Sequence, residues 1–228
     1  MVQTWTERTH EALKGKIGKL IGWSFAMAIL VELWLMIDPT YYGIQHSSTI
    51  LMTISVIGLI LYVMSLPMYI GYNWVILDTV RNKELHFQNV FKPFRKGYRL
   101  NLATFLLTVL FQLLWGLLLI VPGIIKYFSY AFTFFILRDE PHLSPIEAIT
   151  KSRGMMRGQK WEAFKLILPM IPVFLTGLTL SIVFKLPILS SWSLLVATSL
   201  VRPLVVARFA VMYEDSRRAY DEQWNKPA

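Results

Sequence analysis

The chain contains no cysteine. Disulfides, thiolate nucleophiles and cysteine-bound metals are therefore excluded. Charge is also scarce: Asp, Glu, Lys and Arg make up 16% of 228 residues, against about a quarter in soluble domains. The histidines are His10, His46, His86 and His142, far apart and without ligand spacing, so no metal is expected. G-x-S-x-G, H-E-x-x-H, P-loop and dinucleotide fingerprints are all missing, and neither a catalytic residue nor a cofactor is assigned. The first apolar run begins near Leu20 and is too long for a signal-peptide core, so a cleaved leader is not expected.

What fills the chain is apolar. Hydrophobic residues account for 55%, mean hydropathy is +0.48, and the charges cluster between long apolar runs. Such runs read as transmembrane helices once they reach about 18 residues. The fold class expected is all-α: a polytopic transmembrane helix bundle forming one membrane domain over residues 1–228. Six spans are read at roughly 20–37, 49–77, 100–121, 124–137, 163–184 and 188–212, followed by a charged tail. Short amphipathic helices are expected on the membrane surface before spans 1, 3 and 5. The first covers Thr6 to Leu20. The second carries Phe87, Val90, Phe91 and Phe94, and the third opens at Ser144-Pro145-Ile146-Glu147. That last stretch spells a capping box with proline at the first helical position. It should place Ile146, Ile149 and Met156 on one side and the interfacial basic residues Lys151, Arg153 and Arg157 on another. Pro67, Pro169, Pro172 and Pro203 fall inside expected spans and should kink them, or break them as in transporters.

The net charge of +9 would suggest nucleic acid in a soluble protein. Here the basic residues flank apolar runs, so no nucleic-acid partner is expected. All of the 23 lysines and arginines except Lys126, Lys185 and Arg202 fall in the N-terminal segment, the second and fourth connections or the C-terminal segment. This bias places both termini in the cytoplasm, in a multi-pass protein of the bacterial cytoplasmic membrane. The lipid bilayer, with anionic lipids at its cytoplasmic face, is the first partner implied; another membrane protein is the second.

Three segments share one pattern: Leu13-Lys14-Gly15-Lys16, Arg95-Lys96-Gly97-Tyr98-Arg99 and Met156-Arg157-Gly158-Gln159-Lys160. Each follows an amphipathic stretch and precedes a span. Either the chain repeats a hairpin three times, or inner boundaries simply collect glycine and lysine.

The run Leu114-Trp115-Gly116 through Val121-Pro122-Gly123-Ile124-Ile125-Lys126, then Tyr130, resembles the signature of an uncharacterised bacterial integral-membrane family. That family is catalogued as a domain of unknown function and is mostly Gram-positive. Asp139, Pro141, Ser144, Glu147-Ala148, Ser152-Arg153, Met156, Gly158, Trp161 and Phe164 extend the resemblance, as do Glu11 to Gly15 and Tyr213-Glu214-Asp215. The family is distantly similar to the membrane domains of some glycerophosphodiester phosphodiesterases. The resemblance implies a multi-span membrane protein and no reaction.

Ionisable groups inside a span default to functional candidates. Glu32 and Arg202 qualify, as a structural ion pair between spans 1 and 6 or as a proton or anion ligand site. Gly18, Gly22 and Ala26 recur every four residues, the small-residue spacing of helix packing or dimerisation. Asp139, Glu140 and His142 read as a solvated turn. The function expected is non-enzymatic, in lipid or peptide handling or as partner to another membrane protein. A small transporter or peptide-resistance protein, and an intramembrane enzyme acting on lipid headgroups, stay open as alternatives.

Overall fold

A computed structural model of the chain describes residues 2–37, 49–183 and 187–224. The protein is all-helical, with 86% of residues in helices and no strand among the described residues. The helices are α1 (Val2–Leu13), α2 (Ile17–Ile37), α3 (Thr49–Ser65), α4 (Pro67–Val80), α5 (Lys92–Arg95) and α6 (Tyr98–Leu118). They continue as α7 (Ile120–Ser129), α8 (Thr133–Asp139), α9 (Pro145–Met155), α10 (Lys160–Ile167), α11 (Ile171–Val183) and α12 (Pro187–Trp224). Among the described residues three stretches are long and apolar enough to cross a membrane: Tyr98–Leu118, Lys160–Leu180 and Leu195–Tyr220. They overlap the third, fifth and sixth expected spans.

Contacts divide the chain into two units, one of Met1–Lys14, Pro67–Leu168 and Val205–Ala228, the other of Gly15–Leu66 and Pro169–Leu204. Where the sequence reads as single spans, proline and polar side chains subdivide the helices. The run 49–77 becomes α3 and α4, divided before Pro67, whose ring lacks the N–H that would continue the ladder. The run 163–184 passes from α10 through a 3-10 turn, Leu168–Met170, into α11 at Pro169 and Pro172. Pro203, by contrast, lies inside a continuous α12.

In the first unit the run 124–137 is two short helices rather than one. α7 ends at Ser129 and α8 begins at Thr133. Buried Ser152 of α9 fills the gap: its hydroxyl donates to the Ser129 carbonyl at 2.9 Å and accepts from the Phe132 N–H at 3.1 Å. One side chain thus satisfies two backbone groups that a helix end would leave orphaned. α9 packs on α6 and α8 and buries Ala148, Ile149, Ser152 and Met155. Its expected apolar side is only partly right, because Met156 is buried while Ile146 stays 58% exposed. The capping box forms as read: Glu147 N–H donates to Ser144 Oγ, and Ser144 N–H donates to Glu147 Oε2 at 2.8 Å.

The core of this unit is aromatic. Tyr213 of α12 lies between Phe132 and Phe135, with ring centroids 5.5 and 5.4 Å away, pairs worth about 0.5–1.5 kcal/mol each. α4 is joined to α8 by the Trp74 indole, which donates to the Phe134 carbonyl at 2.8 Å. The 3-10 segment Phe87–Phe91 settles on α4 at Gly71, where a Cβ would stand 1.8 Å from the Val90 carbonyl oxygen. Val90 is therefore fully buried while Phe87 and Phe91 stay exposed. Buried Asn101 fastens the following turn, donating to the carbonyls of Pro93 and Lys96.

The three glycines of the sequence pattern share one conformation. Gly15, Gly97 and Gly158 have φ of +72°, +73° and +82°, the left-handed region that costs other residues about 1–2 kcal/mol. Each lies between a short helix and the next longer helical stretch. Asp78 and Asp139, both at the ends of helices, each stand nineteen residues before the next such glycine. For the second and third segments this recurrence favours a repeat over chance collection of glycine at boundaries.

In the second unit α2 packs against α3. Gly177 of α11 meets α12 so closely that a Cβ would lie 2.3 Å from Ala197 Cβ. Small residues allow this approach where lipid offers no hydrophobic drive between helices.

Candidate functional site

Two groups of charged residues lie in the first unit, and they differ in kind. The first is closed. Asp139, expected as part of a solvated turn, has a side chain only 8% exposed. Arg81 grips it with two hydrogen bonds at 2.8 and 2.7 Å, Arg217 donates at 2.7 Å, and the Tyr213 hydroxyl donates at 2.9 Å. Arg81 also reaches Glu214. Burial alone would raise the Asp139 pKa, but the bonds from Arg81 and Tyr213 and the nearby guanidinium charges hold it below the usual carboxylate range. The Asp139 bond likewise holds Arg81 above its ordinary value, against burial. Beside this network the Arg138 guanidinium clasps Asp78 at 2.6 and 2.5 Å and stacks over Trp74. Asp215 accepts from the Trp5 indole and from Arg8. Each of these carboxylates is committed to strong donors, which suits a scaffold and leaves none of them available as a base.

The second group is open. α7, α9, the start of α10 and Tyr220 of α12 enclose a cavity of about 910 Å³. Five cations line it: Lys126, Lys151, Arg153, Arg157 and Lys160. The carboxylates on its wall, Glu140 and Glu147, are both engaged. Glu140 takes Lys151 at 2.5 Å, and hydrogen bonds from Ser144 hold the Glu147 carboxyl below its ordinary pKa. Lys126 lies 4.2 Å over the Trp115 ring and Lys151 5.6 Å over Tyr220. Among the described residues Arg153, Arg157 and Lys160 make no ion pair. Arg153 lies in the last turn of α9 and Arg157 in the turn that follows it, both on the cavity wall, with Gly154 between them leaving the wall low. Ile146 and Leu143 give the cavity an apolar border.

All three basic residues singled out in the sequence, Lys151, Arg153 and Arg157, thus converge on one cavity. Lys126 was missed, because charge counting assigns it to an opposite connection. The chain reverses at extended Leu119, so that α7 folds back on α6 with Gly123 against Gly116, where a Cβ on Gly123 would stand 2.9 Å from Gly116 Cα, and this directs Lys126 toward α9 and α10. Asp139 was missed because a carboxylate after an apolar run reads as a loop charge until its partners from Arg81, Tyr213 and Arg217 are known. Glu32 is in α2, but its side chain lies outside the described residues, and its pairing with Arg202 of α12 is not among the described contacts. Gly18, Gly22 and Ala26 are exposed, and a Cβ at either glycine meets nothing within 4 Å among the described residues. His142 is exposed, and no group of three His, Asp or Glu able to hold a metal occurs among the described residues.

The chemistry on offer in the cavity is recognition of an anion beside an apolar surface. Residues 117–198 match the family model described as Protein of unknown function (DUF975). This stretch runs through α7, α8, α9 and the cavity's cationic wall. No curated protein and no solved structure matches the chain.

Proposed function

We propose that this is a multi-span protein of the bacterial cytoplasmic membrane, with both termini in the cytoplasm, that binds the headgroup of an anionic lipid in its cationic cavity. The observation that carries the reading is the convergence of Lys126, Lys151, Arg153, Arg157 and Lys160 on one open cavity with an apolar rim. Each Lys or Arg near a headgroup contributes about 1 kcal/mol to anionic-lipid attraction, and four of the five are not held by a carboxylate among the described residues. The distribution of lysine and arginine along the chain supports the orientation. In this reading the protein is a lipid-handling or lipid-sensing component with no reaction of its own. Glu32 and Arg202 pair as a structural contact between the first and last spans, and the Gly18, Gly22, Ala26 face is available to another membrane protein.

Native mass spectrometry tests the reading. The full chain is reconstituted in phosphatidylcholine containing a minor fraction of phosphatidylglycerol, then released from the bilayer. The wild type retains phosphatidylglycerol, and Arg153→Gln/Arg157→Gln loses it while folding normally. Equal retention by both proteins would remove the cavity from lipid recognition.

A further inference from the structure

The cavity's charge goes beyond what one phosphodiester needs. Five cations face two carboxylates, one clasped by Lys151 and the other held in the α9 capping box. A phosphodiester headgroup such as phosphatidylglycerol brings a single negative charge. A phosphomonoester brings up to two near neutral pH and three acceptor oxygens, with a second pKa of about 6.

The donors suit that shape. Arg153, in the last turn of α9, and Arg157, in the turn after it, bring two planar guanidinium forks to one cavity wall, and neither is engaged by a carboxylate among the described residues. Lys160 lies past Gly158, whose left-handed backbone ends α9 and turns the chain into α10. Lys126 approaches from the opposite wall, poised over Trp115. Thr150, exposed one turn before Gly154, adds a hydroxyl to the same wall. Gly154 leaves room among them: a Cβ there would touch only Tyr220, at 3.8 Å. The closed network around Asp139 could not serve in this way, because its arginines already hold carboxylates.

We infer that the cavity selects a phosphomonoester, a terminal phosphate dianion carried by a lipid of the inner leaflet. The inference rests on the proposed binding of an anionic lipid headgroup. It adds that the second phosphate charge is read by Arg153, Arg157, Lys160 and Lys126. One further charge held among these cations corresponds to about fivefold in affinity.

The test uses the full chain in detergent and phosphatidylcholine vesicles doped with either phosphatidate or phosphatidylglycerol. Binding is measured below and above pH of about 6, with inorganic phosphate as competitor. The expected result is that phosphatidate binds about fivefold more tightly than phosphatidylglycerol above that pH and that the gap closes below it. Arg153→Gln/Arg157→Gln should weaken phosphatidate binding about thirtyfold, while Arg153→Lys/Arg157→Lys, which keeps the charge, retains most of it. Equal binding of both lipids at every pH, lost in the Gln variant, would overturn the phosphomonoester selection and leave the anionic-headgroup reading standing. Binding unaffected by a folded Gln variant would overturn both. Displacement of phosphatidate by inorganic phosphate at comparable concentration would keep the phosphate dianion as ligand and overturn its lipid source.

Discussion

Replacing Asp139 by asparagine should cost more stability than any single loss of a surface charge. The carboxylate is 8% exposed and takes two bonds from Arg81, one from Arg217 and one from Tyr213. Removing one partner of a fully buried ion pair costs about 3–5 kcal/mol, because the other charge is left without compensation. Here Arg81 is 20% and Arg217 37% exposed, so water recovers part of the loss and about 2–3 kcal/mol is expected. For a chain of this size that corresponds to a fall in Tm of roughly 4–12 °C. Thermal unfolding of the full chain in one detergent at one scan rate measures it. Tyr213→Phe removes a single neutral donor and should cost about 1 kcal/mol. The double variant should lose less than the sum, since both side chains belong to one network. Acid supplies an independent check. Because the folded pKa of Asp139 is depressed, the unfolded chain binds the proton first as pH falls. The contribution of Asp139 is complete above the ordinary carboxylate value of about 3.9 and disappears as pH drops through the lower folded value. Asp139→Asn should remove this part of the acid sensitivity. A variant that melts within about a degree of wild type would refute the reasoning and reduce the network to ordinary surface pairing.

Three further outcomes follow from the packing. Gly71→Ala drives a Cβ against the Val90 carbonyl oxygen. It should free the segment around Lys92 and Arg95, making trypsin cut there faster than in wild type. Ser152→Ala orphans the Ser129 carbonyl and the Phe132 N–H, a loss of about 2–4 kcal/mol measurable as a lower Tm. Gly158→Ala forces a φ of +82° on a side chain and should cost about 1–2 kcal/mol, whereas Gly158→Asn should cost less because asparagine tolerates that region.

Most of the helical content is legible in the sequence, because apolar runs without charge admit few alternatives. The α9 start is legible to the residue, since Ser144, Pro145 and Glu147 each have a defined capping role. The three glycines are equally legible, because Lys-Gly or Arg-Gly before a span signals a left-handed stop that the backbone then adopts. Breaks inside apolar runs are harder. Nothing local to Ser129–Phe132 announces that α7 ends there; the cause is Ser152, more than twenty residues later. The extension of α12 to Trp224 is hidden for the same reason. Tyr213, Glu214 and Asp215 read as a charged tail until Asp139, Arg81, Arg8 and Trp5 supply their partners. The site shows the same division. Lys151, Arg153 and Arg157 are close in sequence and visible as one basic face, whereas Lys126 joins them only through the fold of α7 on α6.

The most direct test of the central claim is a photo-cross-link. Phosphatidate carrying a photoreactive group at its headgroup is incorporated with the full chain in vesicles, irradiated, and the labelled peptides are mapped. Binding in the cavity predicts label between Thr150 and Arg157, at the end of α9 and the turn after it, and on the α7 segment around Lys126, suppressed in Arg153→Gln/Arg157→Gln. Label spread evenly over all basic segments, or concentrated around Lys92 and Arg95, would contradict it.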